Sequence, residues 1–575
     1  MSSGASSPTQ EKKNMQLSAR NPREQQPNTD PKRWMGLRGN KLVNAITVTA
    51  TMGFLLFGYD QGVMSGIINA KQFGTDFYQV RSSGADDEFH ATIQGTVTAV
   101  YEVGCFFGAI FAFFFGESLG RRNMMWLGSF VMVIGTIIQV TAFGPHKGFL
   151  QFMIGRIVTG LGNGANTSTI PSWVAETSKS HNRGFLICVE ASMVAVGTLI
   201  AYWIDFGLSY IDNSVSWRLP IALQVIFAIF LSAGVAVLPE SPRWLFIHGH
   251  YDAACQIIAD LNGHELEDED TQRQIAIIVE GINAASGAQT GASFSELFVG
   301  GKKQHFRRMA VGASSQIFQQ LGGCNAVIYY ATVLFENSIG LETRLALVLG
   351  GVLSVVYALA ALSSFFLVER VGRRKMFLAG SAGQCLAMVI TFACLIPGTA
   401  QAAKGAAFGL FLYIVFFGSC WLPLPWLYPA ELNPLRIRTK ANAVSTMSNW
   451  LFNFLVVQVT PTMTATIGWG TFLIFACANA LFIPVIYFFY PETQGRTLEA
   501  IDVIFAQAYE EKARPTHVAK RMPTLTDIQV AEMTTKLDIH GNNGSDVEST
   551  AVHARAPTFG DEVAEDAAAS NTVSS

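Results

Sequence analysis

Long runs without a single ionisable side chain constrain this chain more than any other feature. The clearest run covers residues 346–368, "ALVLGGVLSVVYALAALSSFFLV", in a chain that is 50% hydrophobic and 14% charged. About 20 consecutive apolar residues cross a bilayer as a helix, whereas soluble domains carry about 25% charged residues. The sequence therefore predicts an all-α membrane protein and excludes an ordinary cytosolic one.

Twelve membrane-spanning segments are predicted along the chain, and we number them spans 1 to 12. They lie at about 44–66, 92–115, 125–143, 149–172, 184–207, 218–238, 306–335, 344–368, 375–396, 405–430, 438–461 and 468–490. These spans form an N-terminal six-helix bundle at 44–240 and a C-terminal bundle at 306–490. A polar block at 241–305 joins the bundles, and we predict short soluble helices there. Residues 1–43 are predicted to be disordered, and the tail 491–575 mostly so.

The positive charges predict the orientation of the chain. Loops after even-numbered spans contain "GRRN", "KSHNRG", "RVGRRK" and "LRIRTK", and such loops are usually cytoplasmic. We therefore expect a multi-pass plasma-membrane protein with both termini in the cytoplasm. A net charge of −3 without a long basic run argues against nucleic-acid binding. No paired cysteine or metal-ligand spacing and no nucleophile–base set is evident, so neither a metal site nor an enzyme is predicted.

The two predicted halves repeat each other's loop motifs. "GESLGRRNMMWLGS" around Gly120 recurs as "VERVGRRKMFLAGS" around Gly372, and "PESPRWL" recurs as "PETQGRTL". "PSWVAETSKSHNRG" likewise recurs as "LYPAELNPLRIRTK" in the same order. A duplicated six-helix unit is typical of alternating-access transporters, whose site lies between the halves near the midplane.

The repeated loops supply acids and arginines that could pair when the cytoplasmic side is shut and separate when it opens. Alternatively, the arginines are present only because positive residues are generally retained in cytoplasmic loops. The residues predicted to act in this gating are Glu117, Arg121, Arg122, Glu176, Arg183, Glu240, Arg243, Glu369, Arg373, Arg374, Glu431, Arg438 and Glu492.

Seven motifs together resemble the sugar porter family of the major facilitator superfamily over about residues 40–506. They are "FGYDQGVMSG", "GESLGRR", "PSWVAETSKSHNRG", "PESPRWL", "IFQQLGGCNAVIYYATVLF", "VERVGRRK" and "PETQGRTLEAID". Further stretches, including "GTLIAYWIDFGLSY", are similar to the fungal sugar-transporter-like branch, whose known yeast member is a glycerol:proton symporter. The resemblance implies a twelve-helix major facilitator fold that carries a neutral sugar or polyol, with a glycerol-like polyol first and a hexose or pentose next. It implies no cofactor beyond a coupling proton, and no partner beyond the substrate and the lipid bilayer.

Asp60 and Arg156 are opposite charges in apolar spans 1 and 4. Each alone would be a costly buried ion, so we expect them to pair. In proton-coupled members of the family an aspartate at this place pairs with a helix 4 arginine, so the resemblance implies symport. A static salt bridge in a facilitative transporter is the alternative.

Span 7 carries amides at helical spacing. Gln316, Gln319 and Gln320 share one face, Gly322-Gly323 offers a kink, and Asn325 follows. Amides both donate and accept, which suits hydroxyl-rich substrates, although they also serve as interhelical polar contacts. The resemblance implies that Gln319, Gln320 and Asn325 bind sugar hydroxyls and that Tyr329 and Tyr330 lie at the outer gate.

Spans 10 and 11 complete the predicted site. The resemblance places Trp426 beneath the bound sugar, and Asn449 and Asn453 at or beside the cavity, with Trp450 either there or in packing. Pro423 and Pro425 interrupt the helical ladder of span 10 where gating requires bending.

Span 5 departs from the family pattern. Ala191 stands where sugar-binding relatives have a glutamine, which removes one hydroxyl-binding amide. Glu190 beside it, and Glu102 in span 2, are further acids in apolar spans. Each could be a proton relay, a neutral packing group or a substrate ligand. A sugar sensor of transporter fold remains the second functional class.

Overall fold

The secondary structure of the described residues consists of helices, joined by turns and loops. A computed structural model describes residues 33–68, 70–80, 87–144, 146–178, 183–286, 294–434, 436–537 and 539. Spans 1 to 6 are Asn40–Ile67, Asp87–Leu119, Arg121–Val140, Lys147–Thr177, Arg183–Leu208 and Val215–Val237. Spans 7 to 12 are His305–Leu321 with Cys324–Val333, Thr343–Val371, Arg373–Leu395, Ala400–Phe416 with Leu424–Leu432, Arg438–Ile467, and Gly470–Phe489.

Shorter helices connect and flank the spans. They are Lys71–Asp76 between spans 1 and 2, Pro242–Ile247, Tyr251–Asn262 and Glu269–Ser286 in the linker, and Leu498–Glu510, Pro515–Arg521 and Asp527–Lys536 after span 12. Short 3₁₀ helices lie at Arg33–Gly36, Tyr78–Val80, Phe294–Phe298 and Gly301–Lys303. Single π-helical turns lie at Leu334–Ser338 and Phe417–Trp421.

Within the described ranges, ten of the helical segments are long and apolar enough to cross a membrane. Of the other two predicted spans, span 4 is rich in glycine, threonine and asparagine, and span 7 is broken into two shorter helices. Large apolar side chains are exposed on the outside of the bundle, including Phe114, Phe366 and Leu481, which are 68%, 67% and 64% exposed. Such a surface suits lipid rather than water, and the chain is a multi-pass membrane protein.

The two halves meet most extensively along two interfaces, span 2 against span 11 and span 5 against span 8. The duplication relates span 2 to span 8 and span 5 to span 11, so each interface is the counterpart of the other. We call the end of the bundle that carries the 241–305 linker the linker side, and the opposite end the far side.

Backbone contact between spans 2 and 4 is close because both carry glycines four residues apart. A Cβ at Gly160 or Gly164 of span 4 would overlap with the carbonyl oxygens of Tyr101 or Cys105. A Cβ at Gly104 or at Gly108 of span 2 would likewise overlap with a span 4 carbonyl. Small residues at this spacing allow membrane helices to approach closely. The approach brings Arg156 of span 4 into the interior of the N-terminal half.

The predicted disorder of the tail is wrong over 498–536, where three helices form. Helix Leu498–Glu510 begins with the Thr497 side chain accepting from the Ala500 N–H, and it buries Ile501, Ile504 and Phe505. Its Asp502 pairs with Arg308 of span 7 at 2.6 Å. The end of the tail is polar, which favours disorder, whereas 498–510 is amphipathic and buries its apolar face. The predictions for 1–32 and 540–575 lie outside the described residues.

Candidate transport site

Asp60 and Arg156 form an ion pair sealed inside the N-terminal half. Arg156 Nη1 donates to both Asp60 carboxylate oxygens, at 2.9 and 3.0 Å, and each side chain is 1% exposed. Arg156 Nη2 donates to the Thr98 carbonyl oxygen at 3.2 Å, and the guanidinium lies 4.7 Å from the centre of the Tyr101 ring. The predicted pairing is therefore present, with each charge compensated by the other.

Span 1 shows a different chemistry on the face turned to the C-terminal half. Phe54 meets Trp426 edge-on at 5.7 Å between ring centres, and Phe57 meets Trp450 at 5.0 Å. One turn further, Gln61 Nε2 donates to the Asn325 Oδ1 at 3.4 Å. Consecutive helical residues point about 100° apart, so Asp60 faces the ion pair while Gln61 faces the other half.

The span 7 amides join those of span 11 in one buried cluster. Asn449 Nδ2 donates to the Oε1 atoms of Gln316 and Gln319, at 2.5 and 2.9 Å. Asn325 Nδ2 donates to Gln320 Oε1 at 2.7 Å and to Asn453 Oδ1 at 2.5 Å. The structure thus brings together the six amides predicted on these two spans. We call them, with Gln61, the amide cluster.

The buried amide cluster retains unused hydrogen-bonding capacity. Asn449 Oδ1 and Asn453 Nδ2 have no hydrogen-bond partner among the described residues. One is an acceptor and the other a donor, and a hydroxyl group can serve both. The cluster itself carries no charge, because its members are all amides.

Two of the glutamines also hold span 10 in place. Proline has no N–H, so Pro425 and Pro429 leave the carbonyls four residues earlier, at Trp421 and Pro425, without their helical donors. Gln319 Nε2 donates to the Trp421 oxygen at 2.8 Å, and Gln316 Nε2 donates to the Pro425 oxygen at 2.7 Å. The Nε2 groups of Gln316 and Gln319 are therefore interhelical polar contacts, which is the alternative to substrate binding.

The break predicted from Pro423 and Pro425 is present in span 10. A π-helical turn at Phe417–Trp421 follows the first helix, and Pro423 precedes the second, Leu424–Leu432. Span 7 breaks as well, where Gly323 has φ +93°, a backbone conformation that favours glycine. The helix Cys324–Val333 is thus a separate segment of span 7.

Tyr329 and Tyr330 lie on this separate segment and make different contacts. Tyr329 Oη donates to Glu102 Oε1 of span 2 at 2.6 Å, which connects the two halves. Tyr330 Oη donates to the Val457 carbonyl oxygen at 2.9 Å, within the C-terminal half. Tyr202 of span 5 adds a second connection, since its hydroxyl donates to the Ile328 carbonyl oxygen at 2.6 Å. The far side is closed by these contacts.

On the linker side, the duplicated loops form equivalent ion pairs. Arg121 donates to both Glu176 oxygens at 3.0 Å. Arg373 pairs with Glu431 at 2.8 Å and with Glu369 at 3.0 Å. Each of these pairs lies within one half, and their role in gating stays a prediction. Closure of the linker side must therefore act on them indirectly.

The remaining gating residues lie around these pairs. Glu240 accepts from the backbone N–H groups of Arg121 and Arg122 at 3.1 and 3.0 Å, and Glu492 accepts from those of Arg373 and Arg374 at 2.9 and 3.1 Å. Arg438 Nε donates to the Asn433 carbonyl oxygen at 3.1 Å. Glu117 is exposed, Arg243 is half-buried in Pro242–Ile247, and the Arg183 side chain lies outside the described residues.

Ala191 and Glu190 are both buried on span 5. Both Glu190 carboxylate oxygens are buried without a hydrogen-bond partner in the described part of the chain. Ser192, next to Ala191, donates to the Ala361 carbonyl oxygen of span 8 at 3.1 Å. Span 5 therefore approaches the C-terminal half at the position of the missing amide.

Sequence reasoning missed Gln61 and Tyr202 as residues that connect the halves. For Gln61 a signal was available, because it lies on the helical face of Phe54 and Phe57 in an otherwise apolar stretch. For Tyr202 there was none, since its partner is a backbone carbonyl of another span.

Two related six-helix halves, with uncharged polar groups buried where they meet, define a carrier of the major facilitator class. A family model described as "Sugar (and other) transporter" matches residues 45–505. The chain therefore belongs to the sugar transporter family, as its motifs predict.

Individual relatives agree with this membership. The sugar transporter STL1 of Saccharomyces cerevisiae is 48% identical over 491 residues, which cover 85% of this chain and 86% of that protein. The major facilitator superfamily transporter mfsA of Aspergillus fumigatus is 43% identical over 512 residues, 88% of this chain and 94% of that one. The fold resembles that of the solved structure of the xylose transporter XylE bound to 6-bromo-6-deoxy-D-glucose, with TM-score 0.69 and 24% identity over 81% of this chain and 99% of that chain.

Proposed function

We propose that this chain imports a small neutral polyhydroxy compound together with a proton. A glycerol-like polyol is the leading substrate, and a hexose or pentose is next. One observation carries the proposal: in span 1, consecutive residues belong to a buried ion pair and to an uncharged amide cluster. Proton and substrate would therefore act on the same helical turn.

The proton acceptor is Asp60. Protonation removes the negative charge that compensates Arg156, and a buried arginine without its counter-ion is unstable. The packing of span 1 on span 4 must then change, and Gln61 moves with the same turn. Substrate bound to the amide cluster stabilises one position of Gln61, which gives the two ligands a shared conformational change.

The amide cluster favours a hydroxyl-bearing neutral substrate. Its internal bonds, at 2.5 to 3.4 Å, join amide donors to amide acceptors across spans 1, 7 and 11. A hydroxyl replaces either partner in such a bond without adding charge. Membership of the sugar transporter family supports the same class of substrate.

We further propose that the linker side faces the cytoplasm, with both termini there, and that the protein resides in the plasma membrane. The arginine-rich loops that form the Glu176 and Glu431 pairs all lie on that side. Positive charge in short loops is retained on the cytoplasmic side.

Uptake of labelled glycerol, glucose and xylose by transporter-null yeast, with and without a protonophore, tests the proposal. We expect accumulation of at least one substrate above its external concentration, glycerol most of all, and loss of this accumulation with the protonophore. Saturable uptake that only equilibrates would favour a facilitative transporter. Absence of uptake, with altered expression of other transporters on deletion, would favour the sensor.

A further inference from the structure

Glu102 is a titratable group that joins the two halves of the carrier. It is buried in the middle of span 2, and its Oε1 accepts from the Tyr329 hydroxyl of span 7 at 2.6 Å. This length lies in the ordinary range of O–H···O hydrogen bonds. Its other oxygen, Oε2, has no partner among the described residues.

The surroundings of Glu102 contain the ion pair of the N-terminal half. Tyr101, the preceding residue, lies against the Arg156 guanidinium. The charged or titratable groups around Glu102 are Asp60 of span 1, Tyr101 and Cys105 of span 2, Arg156 of span 4, and Cys324, Tyr329 and Tyr330 of span 7. Span 11, which packs along span 2, carries charge only at Arg438 and Lys440, near its linker-side end.

Tyr329 belongs to the part of span 7 that closes the far side. This helix, Cys324–Val333, begins after the break at Gly323. Two of its other contacts with the N-terminal half are a bond from Tyr202 to the Ile328 carbonyl and one from Thr332 to the Ser65 carbonyl, at 2.6 and 2.7 Å. Those two bonds end on neutral carbonyls, whereas the Tyr329 bond ends on an acid.

We propose that Glu102 is a positioning residue that makes closure of the far side sensitive to protonation, separately from Asp60. Ionised Glu102 accepts a charge-assisted bond from Tyr329 and favours closure. Protonation leaves a neutral and weaker bond, so the far side opens more readily. The inference rests on the carrier function and not on proton-coupled accumulation.

The test measures the opening itself rather than transport. Spin labels are placed at positions 209 and 342, which are exposed at the far-side ends of the two halves, and their separation is recorded in lipid from acid to alkaline pH. We expect the open-to-closed ratio to rise about fivefold towards acid, the difference between a charged and a neutral hydrogen bond.

Because Asp60 titrates as well, the variants are compared in an Asp60→Asn background. There Glu102→Gln retains a carbonyl acceptor for Tyr329 but cannot titrate, so its label separation should lose this pH response. Tyr329→Phe should lose it too, although Glu102 still titrates, and this variant provides the test if Glu102→Gln does not fold. Tyr330→Phe is the matched control, because its hydroxyl bonds uncharged groups, the Val457 carbonyl and the Thr98 side chain, so the response should persist. Asp60→Asn should also keep the response.

A wild-type pH response in both Glu102→Gln and Tyr329→Phe would overturn the proposal. So would a response lost in Asp60→Asn but kept in the single variant Glu102→Gln, which would assign the sensitivity to the ion pair. Failure of proton-coupled uptake is a separate outcome, since it leaves the label separations unaffected.

Discussion

At the scale of single residues, the site depends on two neighbours in span 1 that point in different directions. Asp60 compensates Arg156 inside the N-terminal half, and Gln61 reaches Asn325 in the other half. Neither role follows from the residue type alone. The helical rotation of about 100° between consecutive positions separates them.

Asp60→Asn should abolish uphill accumulation while substrate exchange across the membrane persists, because the amide cluster remains and the proton acceptor is lost. Labelled-substrate accumulation and counterflow in the same vesicles measure the two activities. Concentrative uptake by this variant that is still sensitive to protonophore would remove Asp60 from the mechanism.

Arg156→Ala should be more damaging, since it leaves a buried acid without its counter-charge and costs about 3–5 kcal/mol. The double variant Asp60→Asn with Arg156→Ala should recover much of that loss, because no uncompensated charge remains. Thermal unfolding in detergent measures both. A double variant no more stable than Arg156→Ala would contradict a compensating pair.

Ala191→Gln tests the substrate. A new amide on span 5 should add about 0.5–1.5 kcal/mol of hydrogen bonding to a hexose and nothing to a three-carbon polyol, so the hexose-to-glycerol uptake ratio should rise. Ala191→Leu is the control of similar size without hydrogen-bonding groups. Asn325→Ala should weaken both substrates. A wild type that already prefers hexoses, with a ratio that Ala191→Gln leaves unchanged or lowers, would refute the polyol assignment.

At the scale of elements, prolines in span 10 and glutamines in span 7 depend on each other. Pro425 and Pro429 remove helical donors, and Gln319 and Gln316 supply replacements from the neighbouring span. Bending is thereby permitted without leaving buried carbonyls unpaired. The glutamines predicted as substrate ligands therefore also stabilise the break in span 10.

Gln319→Leu should destabilise the protein by about 1–3 kcal/mol, because the Trp421 carbonyl loses its donor. In a Pro425→Ala background the new backbone N–H can bond this carbonyl, so the same substitution should cost less. The thermal stabilities of the wild type, Gln319→Leu, Pro425→Ala and the double variant give the coupling energy between the two positions. Equal costs in both backgrounds would show that the bond does not replace the missing helical one.

Gly160→Ala should separate spans 2 and 4 and reduce both stability and uptake, with a cost of about 1–3 kcal/mol from overpacking. Gly116→Ala is the matched control on span 2, since the added methyl group meets no neighbouring helix of the described chain within 4 Å. Comparable losses in both variants would indicate a general intolerance of alanine rather than a specific close approach.

At the scale of the whole molecule, the duplication is visible in individual bonds. Arg121 with Glu176 matches Arg373 with Glu431. Glu240 accepts from two backbone N–H groups that begin span 3, and Glu492 from two that begin span 9. These clusters make each half rigid at the linker side. Movement of the halves as units then gives alternating access.

Neutralising Arg121 or Arg373 to Gln should shift the balance between conformations and lower turnover more than substrate affinity. The two variants should shift the balance in the same direction, because Arg121 and Arg373 pair with the corresponding acids Glu176 and Glu431. Lys375→Gln, at an exposed position in the first turn of span 9 beside Arg373, controls for loss of charge. Normal transport rates at normal surface expression would count against a gating role for these pairs.

The sequence by itself determined the twelve spans, the duplication and the pairing of Asp60 with Arg156. The spans follow from apolar runs long enough to cross a bilayer, and the duplication follows from motifs repeated in the sequence itself. The ion pair follows because a buried charge is stable only beside an opposite one. The amides of span 7 were evident for the same local reason, since helical spacing placed three of them on one face.

Only the tertiary structure decided which polar groups meet across the halves. The bonds from Gln61 to Asn325 and from Tyr329 to Glu102 join residues more than 200 positions apart, and no local period predicts such contacts. The structure likewise showed the Gln316 and Gln319 donors occupied by carbonyls of span 10, and helix Leu498–Glu510 held by Arg308. Partners of this kind depend on how the packed spans are rotated against each other, which the closeness of their backbones determines.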